Sequence, residues 1–166
     1  MLGRCYEKSG RSGASYLDCT VSSKFRRLSD FSRWCENQIG FKDVDDKGRK
    51  YQLDKDILSK GNKIYSPETC CFVPQEINKL LLKRDKSRGD CPIGVYYNKV
   101  AKKYQSRVNK YDEEAYLGIF DTPEEAFYVY KREKEKYIKE VANKWKDKVD
   151  IRVYEALINY KVEITD

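Results

Sequence analysis

The chain has 166 residues, a formal net charge of +7 and a pI near 9.0. This length accommodates one domain of ordinary size or two or three small ones, and a charged fraction of 37% favours small, well-solvated modules. No apolar run approaches the roughly 18 residues of a membrane span, and no signal peptide is visible, so we expect no membrane partner and a cytoplasmic location. The basic surplus favours a polyanionic partner, usually nucleic acid.

Six cysteines and the absence of histidine limit the metal chemistry that the chain can support. A zinc site would need four thiolates, yet no two cysteines form a C-x-x-C motif. The adjacent Cys70 and Cys71 would point to opposite faces of a strand, which prevents them from sharing one ion. We therefore expect reduced, mostly buried cysteines and no zinc.

Residues 1–40 predict a small N-terminal helical segment that follows a loop rich in glycine and serine. Ser22 or Ser23 is suited to cap its first helix, and Phe31 and Trp34 then recur at helical spacing. We expect these aromatic side chains to belong to the core.

Residues 41–89 predict a strand, a loop, a second strand and a helix, in that order. Alternation of apolar and polar residues predicts that the first strand is half-buried and that Asp54 and Asp56 share one of its faces. A loop containing Asn62 and a short apolar second strand precede the helix that carries Asn78.

Identities scattered over residues 1–81 resemble a group of bacteriophage proteins whose core is like that of H-N-H (His-Me finger) endonucleases. The residues that carry the resemblance are Arg4-Cys5, Tyr16, Cys19-Thr20-Val21, Phe31, Trp34, Leu53-Asp54-Lys55, Gly61-Asn62, Tyr65-Ser66-Pro67-Glu68 and Cys70-Cys71-Phe72-Val73. The resemblance implies a ββα-metal core that holds one divalent cation. Because its donors are oxygen atoms, Mg²⁺ or Mn²⁺ is the expected ion.

The resemblance assigns roles by position. It makes Asp54 the first metal ligand and Asn78 the second, and it puts Asn62 where the family pins its loop. Lys55 stands where the family has the histidine that acts as general base, but a lysine with an ordinary pKa of about 10.4 is protonated at neutral pH. Asp56 is a further candidate proton acceptor or metal ligand. The sequence leaves open a working nuclease, one with a replaced base, and an inactive core kept as a scaffold.

Residues 90–148 predict a three-stranded antiparallel sheet with one helix packed on it. The last strand ends at Phe120. Thr122, Pro123 and Glu125 then have the spacing of a capping box with proline at the first helical position.

Two strings of this module, Gly94-Val95 and YLGIFDTPEEA at residues 116–126, resemble the AP2 DNA-binding domain. The resemblance implies that the sheet lies in the major groove of duplex DNA. By position, the DNA-binding side chains would be Tyr96, Asn98, Lys99, Lys102, Lys103, Gln105, Arg107 and Asn109. The amide and guanidinium groups can read base edges and the lysines supply phosphate affinity. The arginine-rich first strand of the family is replaced here, so the resemblance implies no base preference.

The expected fold class is α+β, in four segments. They are an N-terminal helical segment (residues 1–40), an H-N-H-like ββα core (41–89), an AP2-like domain (90–148) and a C-terminal helix with a tail (149–166).

Two functional hypotheses of different classes follow. The first is a phage-type DNA-binding protein related to homing or nicking endonucleases. Its partner is double-stranded DNA, and the replacement of the general base by Lys55 puts cleavage in question. The second is a non-catalytic phage protein that regulates or inhibits a host protein, by contact with that protein or with DNA. The sequence does not decide whether the protein is an enzyme.

Overall fold

The computed structural model describes residues 2–6, 18–82 and 90–166, which form two compact units. Unit 1 comprises Met1–Leu80 and Trp145–Leu157, and unit 2 comprises Leu81–Lys144 and Ile158–Asp166. Helices and small sheets occur in both units, which confirms the α+β class. Among the described residues, no helix combines the length and apolarity that a membrane crossing requires. The predicted glycine- and serine-rich loop lies outside the described residues.

The regular elements are mostly short, apart from one helix of 23 residues. In chain order they are α1 (Leu2–Tyr6), β1 (Thr20–Val21), α2 (Leu28–Glu36), β2 (Gln52–Asp54), β3 (Ile64–Tyr65), β4 (Cys71–Val73), α3 (Gln75–Leu80), β5 (Val95–Asn98), β6 (Lys103–Lys110), β7 (Glu113–Phe120), α4 (Pro123–Trp145) and α5 (Ile151–Ile158). A 3₁₀ turn at Ser23–Phe25 begins after Ser22, whose side chain makes no capping hydrogen bond.

Unit 1 contains two two-stranded sheets. β1 and β3 pair in parallel, and β2 and β4 pair antiparallel, with Leu53 opposite Phe72 and Asp54 opposite Cys71. Since directly paired residues share a face of a sheet, Asp54 and Cys71 lie on one face and Leu53 and Phe72 on the other. Helix α3 follows β4 and packs against β2. The predicted order of strand, loop, strand and helix is therefore present, with the β1–β3 pair as an unpredicted addition.

One hydrophobic cluster of unit 1 includes Leu53. Its buried members are Cys19, Val21, Phe25, Tyr65 and Cys70, and Cys5, Phe31, Trp34 and Leu53 pack against them. The rings of Phe25 and Trp34 have centroids 4.7 Å apart. The predicted core role of Phe31 and Trp34 is thus confirmed.

The cysteines are free thiols, and Cys19, Cys35, Cys70 and Cys71 are buried in unit 1. Burial raises the pKa of the Cys70 thiol to about 11, and burial also raises the pKa of Cys71. Because a thiolate is the reactive form of cysteine, these side chains are chemically quiet apolar groups in the folded chain.

Unit 2 contains the predicted three-stranded antiparallel sheet, with β6 between β5 and β7. Its inner face carries the buried side chains of Val95, Ser106 and Val108. At the start of α4, the backbone nitrogen of Glu125 donates to Thr122 Oγ1 and the backbone nitrogen of Thr122 donates to Glu125 Oε2, both at 3.3 Å. This reciprocal pair is the predicted capping box.

Helix α4 packs on the inner face of the β5–β6–β7 sheet. Lys110 Nζ lies 2.9 Å from Glu133 Oε2, and the backbone nitrogen of Tyr111 donates to the Tyr137 hydroxyl at 2.9 Å. Gly94, at φ +77°, leaves room for the ring of Tyr130, because a Cβ at residue 94 would lie 2.1 Å from that ring. The opposite, outer face of the sheet is therefore not covered by α4.

Candidate functional site

Asp54, the predicted first metal ligand, is the last residue of β2. Its Oδ1 accepts hydrogen bonds from the backbone nitrogens of Asp56 at 2.8 Å and Ile57 at 2.9 Å. A carboxylate that accepts from the next two or three backbone N–H groups stabilises a turn. The chain therefore leaves the sheet at Asp54, and the prediction that Asp56 continues the strand on the same face is wrong.

The Asp54 carboxyl is half-buried and has no ion-pair partner within the described ranges. Burial, followed by the charge of Asp56, raises its pKa to about 6. The group is therefore mostly ionised at neutral pH although nothing described in the structure neutralises it. A buried carboxylate in this state attracts a cation.

Asn78, the predicted second ligand, is placed by α3 over the face of β2 that carries Asp54. Its Nδ2 donates to Oε1 of Gln52, and Gln52 lies two residues before Asp54 on the same strand face. The structure thus brings Asp54 and Asn78 to one face. The hydrogen bond engages the amide nitrogen and leaves the amide oxygen of Asn78 as a donor atom for a metal.

The available donors fit a hard cation. Carboxylate and amide oxygens are ligands of Mg²⁺ and Mn²⁺, and Mg²⁺ commonly keeps several waters beside one or two protein ligands. Across residues 2–6, 18–82 and 90–166, no group of three or more His, Cys, Asp or Glu side chains could hold a metal ion. An ion held by Asp54 and Asn78 alone would keep most of its waters.

Lys55, which the resemblance predicts at the position of the general base, is buried in the loop that follows β2. Its Nζ donates to the backbone oxygen of Asn62 at 3.0 Å and lies 3.2 Å from Asp56 Oδ2. In return, Nδ2 of Asn62 donates to the backbone oxygen of Lys55 at 2.6 Å and to that of Ile64 at 2.7 Å. Asn62 therefore joins the two sides of this loop, and Lys55 takes part in the same closure.

An ion pair near Cys71 was missed from the sequence. Asp150 and Arg152, at the start of α5, form an ion pair with Nη2 2.8 Å from Oδ2. Both side chains interact electrostatically with Cys71, which lies opposite Asp54 in the sheet. Nothing local in the sequence connects α5 with β4, so only the tertiary structure reveals that this ion pair lies near Cys71.

In unit 2, the predicted DNA-binding strand residues share the outer face of the sheet. Val95, Ser106 and Val108 point inward, so the residues that alternate with them point outward. These outer side chains are Tyr96, Asn98, Lys103, Gln105, Arg107 and Asn109. Lys99 and Lys102 lie in the turn at the tip of the β5–β6 hairpin.

Arg107 is held at the centre of this outer face. Its Nη1 lies 2.8 Å from Glu114 Oε2 and its Nη2 lies 3.0 Å from Gln105 Oε1, while its guanidinium carbon is 6.0 Å from the ring centroid of Tyr96. Tyr116 pairs with Arg107 in the β6–β7 register and is exposed on the same face. Tyr116 was missed from the sequence, because a register shift opposite Ser106 and Arg107 interrupts the alternation of β7.

The cations of the hairpin tip differ in their partners. Lys103 Nζ lies 2.9 Å from Asp121 Oδ1, whereas Lys99 and Lys102 have no hydrogen-bond or ion-pair partner within the described part of the chain. Asn98 Oδ1 accepts from the backbone nitrogens of Val100 and Ala101, both at 3.0 Å, and so holds the turn. The tip therefore presents two uncompensated positive charges on an ordered turn.

Comparison of the chain with known protein families, with curated proteins and with solved structures finds no match. Function must therefore be inferred from the residues of the two sites themselves.

Proposed function

We propose that this protein binds DNA through unit 2, with the outer face of the β5–β6–β7 sheet as its contact surface. On this proposal, the β2–β4–α3 part of unit 1 is an H-N-H-like core that lacks the general base, and DNA binding rather than cleavage is the main activity. The resemblance to AP2 domains and to bacteriophage H-N-H proteins favours the same function.

The observation that carries the proposal is the placement of Lys99 and Lys102. Both lysines lie at the tip of one hairpin without a partner among the described residues, and the outer-face residues Gln105, Arg107 and Asn109 begin beside that tip. Lysines that neutralise phosphates release counterions, which is the main source of non-specific DNA affinity. Amide and guanidinium groups beside them can contact base edges.

Salt-dependent binding to duplex DNA tests this proposal. We expect the slope of log K against log salt concentration to become less steep by about 0.9 for each phosphate that the protein no longer neutralises. The double variant Lys99→Gln/Lys102→Gln should therefore change the slope by about 1.8. Lys136→Gln/Lys139→Gln, on the exposed side of α4, is a control with the same change of charge. An equal effect of both double variants, or no binding by the wild type, would count against the proposal.

Metal-dependent cleavage is a second candidate function, favoured by the uncompensated Asp54 carboxylate. A divalent cation held by Asp54 and Asn78 would supply charge stabilisation to a phosphodiester, as hard cations do in nucleases. Lys55 does not fit the role of general base, because its ammonium group donates to the backbone oxygen of Asn62. Arg152 lies within charge-interaction range of Cys71, and its Nε and Nη2 donate to Asp150.

Incubation with supercoiled plasmid and Mg²⁺ or Mn²⁺ distinguishes the two candidates. Nicking that disappears in Asp54→Asn and persists in Asp56→Asn would establish a metal-dependent centre at Asp54. Retention of intact plasmid under conditions where DNA is bound would leave DNA binding as the function.

A further inference from the structure

The outer face of the unit 2 sheet carries more aromatic surface than phosphate binding requires. Tyr96 and Tyr116 are 38% and 58% exposed, and they lie on the two edge strands on either side of Arg107. Ile119, opposite Gln105, is 40% exposed on the same face. We infer that this face binds unpaired nucleobases, with Tyr96, Arg107 and Tyr116 as a stacking platform. The inference rests on the proposed function and specifies the form of nucleic acid that the face takes.

The platform follows from the register of the sheet. Tyr96 pairs with Gln105, and Arg107 pairs with Tyr116, so the three planar groups cross the three strands in a diagonal row. Adjacent strands are about 4.8 Å apart and Gln105 lies two residues from Arg107 along β6, so the backbones of the two tyrosines are about 12 Å from each other. Arg107 between them is fixed by Glu114 and Gln105. A fixed guanidinium plane stacks on bases in the same way as an aromatic ring.

Exposed ring faces suit single strands better than a duplex. In duplex DNA the faces of the bases are stacked on each other, and only their edges are accessible in the grooves. Tyrosine rings on an open sheet can stack on a base only where that base is unpaired. Because Glu114 neutralises Arg107, the centre of this face also has little net charge with which to bind a duplex through its phosphates.

The surrounding charge favours nucleic acid over a protein partner. Lys99 and Lys102 stand at one end of the face without partners in the described ranges, and the chain carries a net charge of +7. An aromatic platform with uncompensated cations at its end matches the combination that single-strand binding proteins use.

Fluorescence anisotropy with labelled oligo-dT, oligo-U and the matching duplex DNA tests the inference. We expect tighter binding to a single strand than to the duplex. Because stacking contributes about 1–3 kcal/mol per base, Tyr96→Ala and Tyr116→Ala should each weaken single-strand binding by about tenfold or more. Tyr96→Phe and Tyr116→Phe keep the ring and should retain affinity. Comparison of oligo-dT with oligo-U identifies the natural strand as DNA or RNA.

Two further variants separate stacking from other effects. Arg107→Lys keeps the charge and removes the guanidinium plane, so it should weaken single-strand binding. Tyr128→Ala removes a tyrosine of α4 that is 65% exposed and should change nothing. Duplex binding that exceeds single-strand binding and is insensitive to Tyr96→Ala and Tyr116→Ala would overturn the inference and leave the proposed function intact. Absence of binding to every nucleic acid would overturn both and assign the aromatic face to protein contact.

Discussion

Lys55 and Asn62 hold each other from opposite sides of one loop. The ammonium group of Lys55 donates to the backbone oxygen of Asn62 at 3.0 Å, and the side-chain amide of Asn62 donates to the backbone oxygen of Lys55 at 2.6 Å. This closure keeps Asp54 at the end of β2 in a fixed orientation. It also gives the buried ammonium group of Lys55 a hydrogen-bond partner.

Replacement of Asn62 should open this loop. Asn62→Ala removes hydrogen bonds to the backbone oxygens of Lys55 and Ile64 and to the backbone nitrogen of Ile64. We expect a loss of about 2–3 kcal/mol in the free energy of unfolding, because backbone groups are left without their partners. Urea unfolding followed by tryptophan fluorescence measures this loss of free energy of unfolding. Asn37→Ala, which removes one exposed bond to the backbone oxygen of Arg33, should lose about 1 kcal/mol at most. Equal losses would contradict the assigned role of Asn62.

The Asp54 carboxyl should destabilise the folded chain at neutral pH. Its pKa is raised to about 6 in the folded state, so the folded chain binds more protons than the unfolded chain between about pH 4 and pH 6. Stability should therefore fall as the pH rises through this window and then stay level. The difference is on the order of 2–3 kcal/mol.

Asp54→Asn tests this effect without loss of shape, since the amide oxygen can still accept from Asp56 and Ile57. The variant should be more stable than the wild type at pH 7 and similar at pH 4. Thermal unfolding across this pH range would show the difference. If Asp54 holds a cation, Mg²⁺ should stabilise the wild type and not the variant. A variant that is less stable at pH 7 would refute the prediction.

Gly94 should tolerate no side chain. A Cβ at this position would lie 2.1 Å from the ring of Tyr130, which is buried against the sheet, and the backbone has φ +77°. We expect Gly94→Ala to lower the stability of unit 2 by about 3–4 kcal/mol through overpacking and backbone strain. Gly61→Ala separates the two causes, because Gly61 has φ +79° with nothing within 4 Å of the added Cβ. A loss of about 1 kcal/mol is expected there. Chemical denaturation of both variants measures the contrast.

Lys134 is a half-buried cation in the apolar stripe of α4, between Tyr130 and Ile138. It has no hydrogen-bond or ion-pair partner in the described part of the chain, and burial lowers its pKa to about 8. Between about pH 8 and pH 10.5 the unfolded chain binds more protons, so stability should rise with pH in this window. Lys134→Met should abolish the rise and stabilise the chain at pH 7 by up to about 3 kcal/mol. Lys136→Met, on the exposed side of α4, should neither abolish the rise in stability with pH nor stabilise the chain at pH 7. Thermal unfolding of both variants between pH 7 and pH 10.5 measures the difference.

The sheet and helix of unit 2 were predictable because their signals are local. The alternation along β6 and the spacing of Thr122 and Glu125 depend only on near neighbours, and both are confirmed by the structure. The order of β2, β4 and α3 was predictable for the same reason.

The details of the Asp54 site depend on contacts that the sequence does not display. A lysine is usually exposed, so no pattern predicts that Lys55 is buried in its own loop. The end of β2 is set by the side chain of Asp54 rather than by hydrophobic periodicity. The position of Arg152 near Cys71 joins elements that are distant in the chain.

The buried thiols of unit 1 can be used to measure how often this unit opens. Cys19, Cys35, Cys70 and Cys71 are buried and free, so a thiol reagent in solution can reach them only when the packing around them loosens. The rate of their modification would then measure how often unit 1 opens, with no label added to the protein. A partner or cation that covers the Asp54 face would slow the modification of Cys71, which lies opposite Asp54 in the sheet.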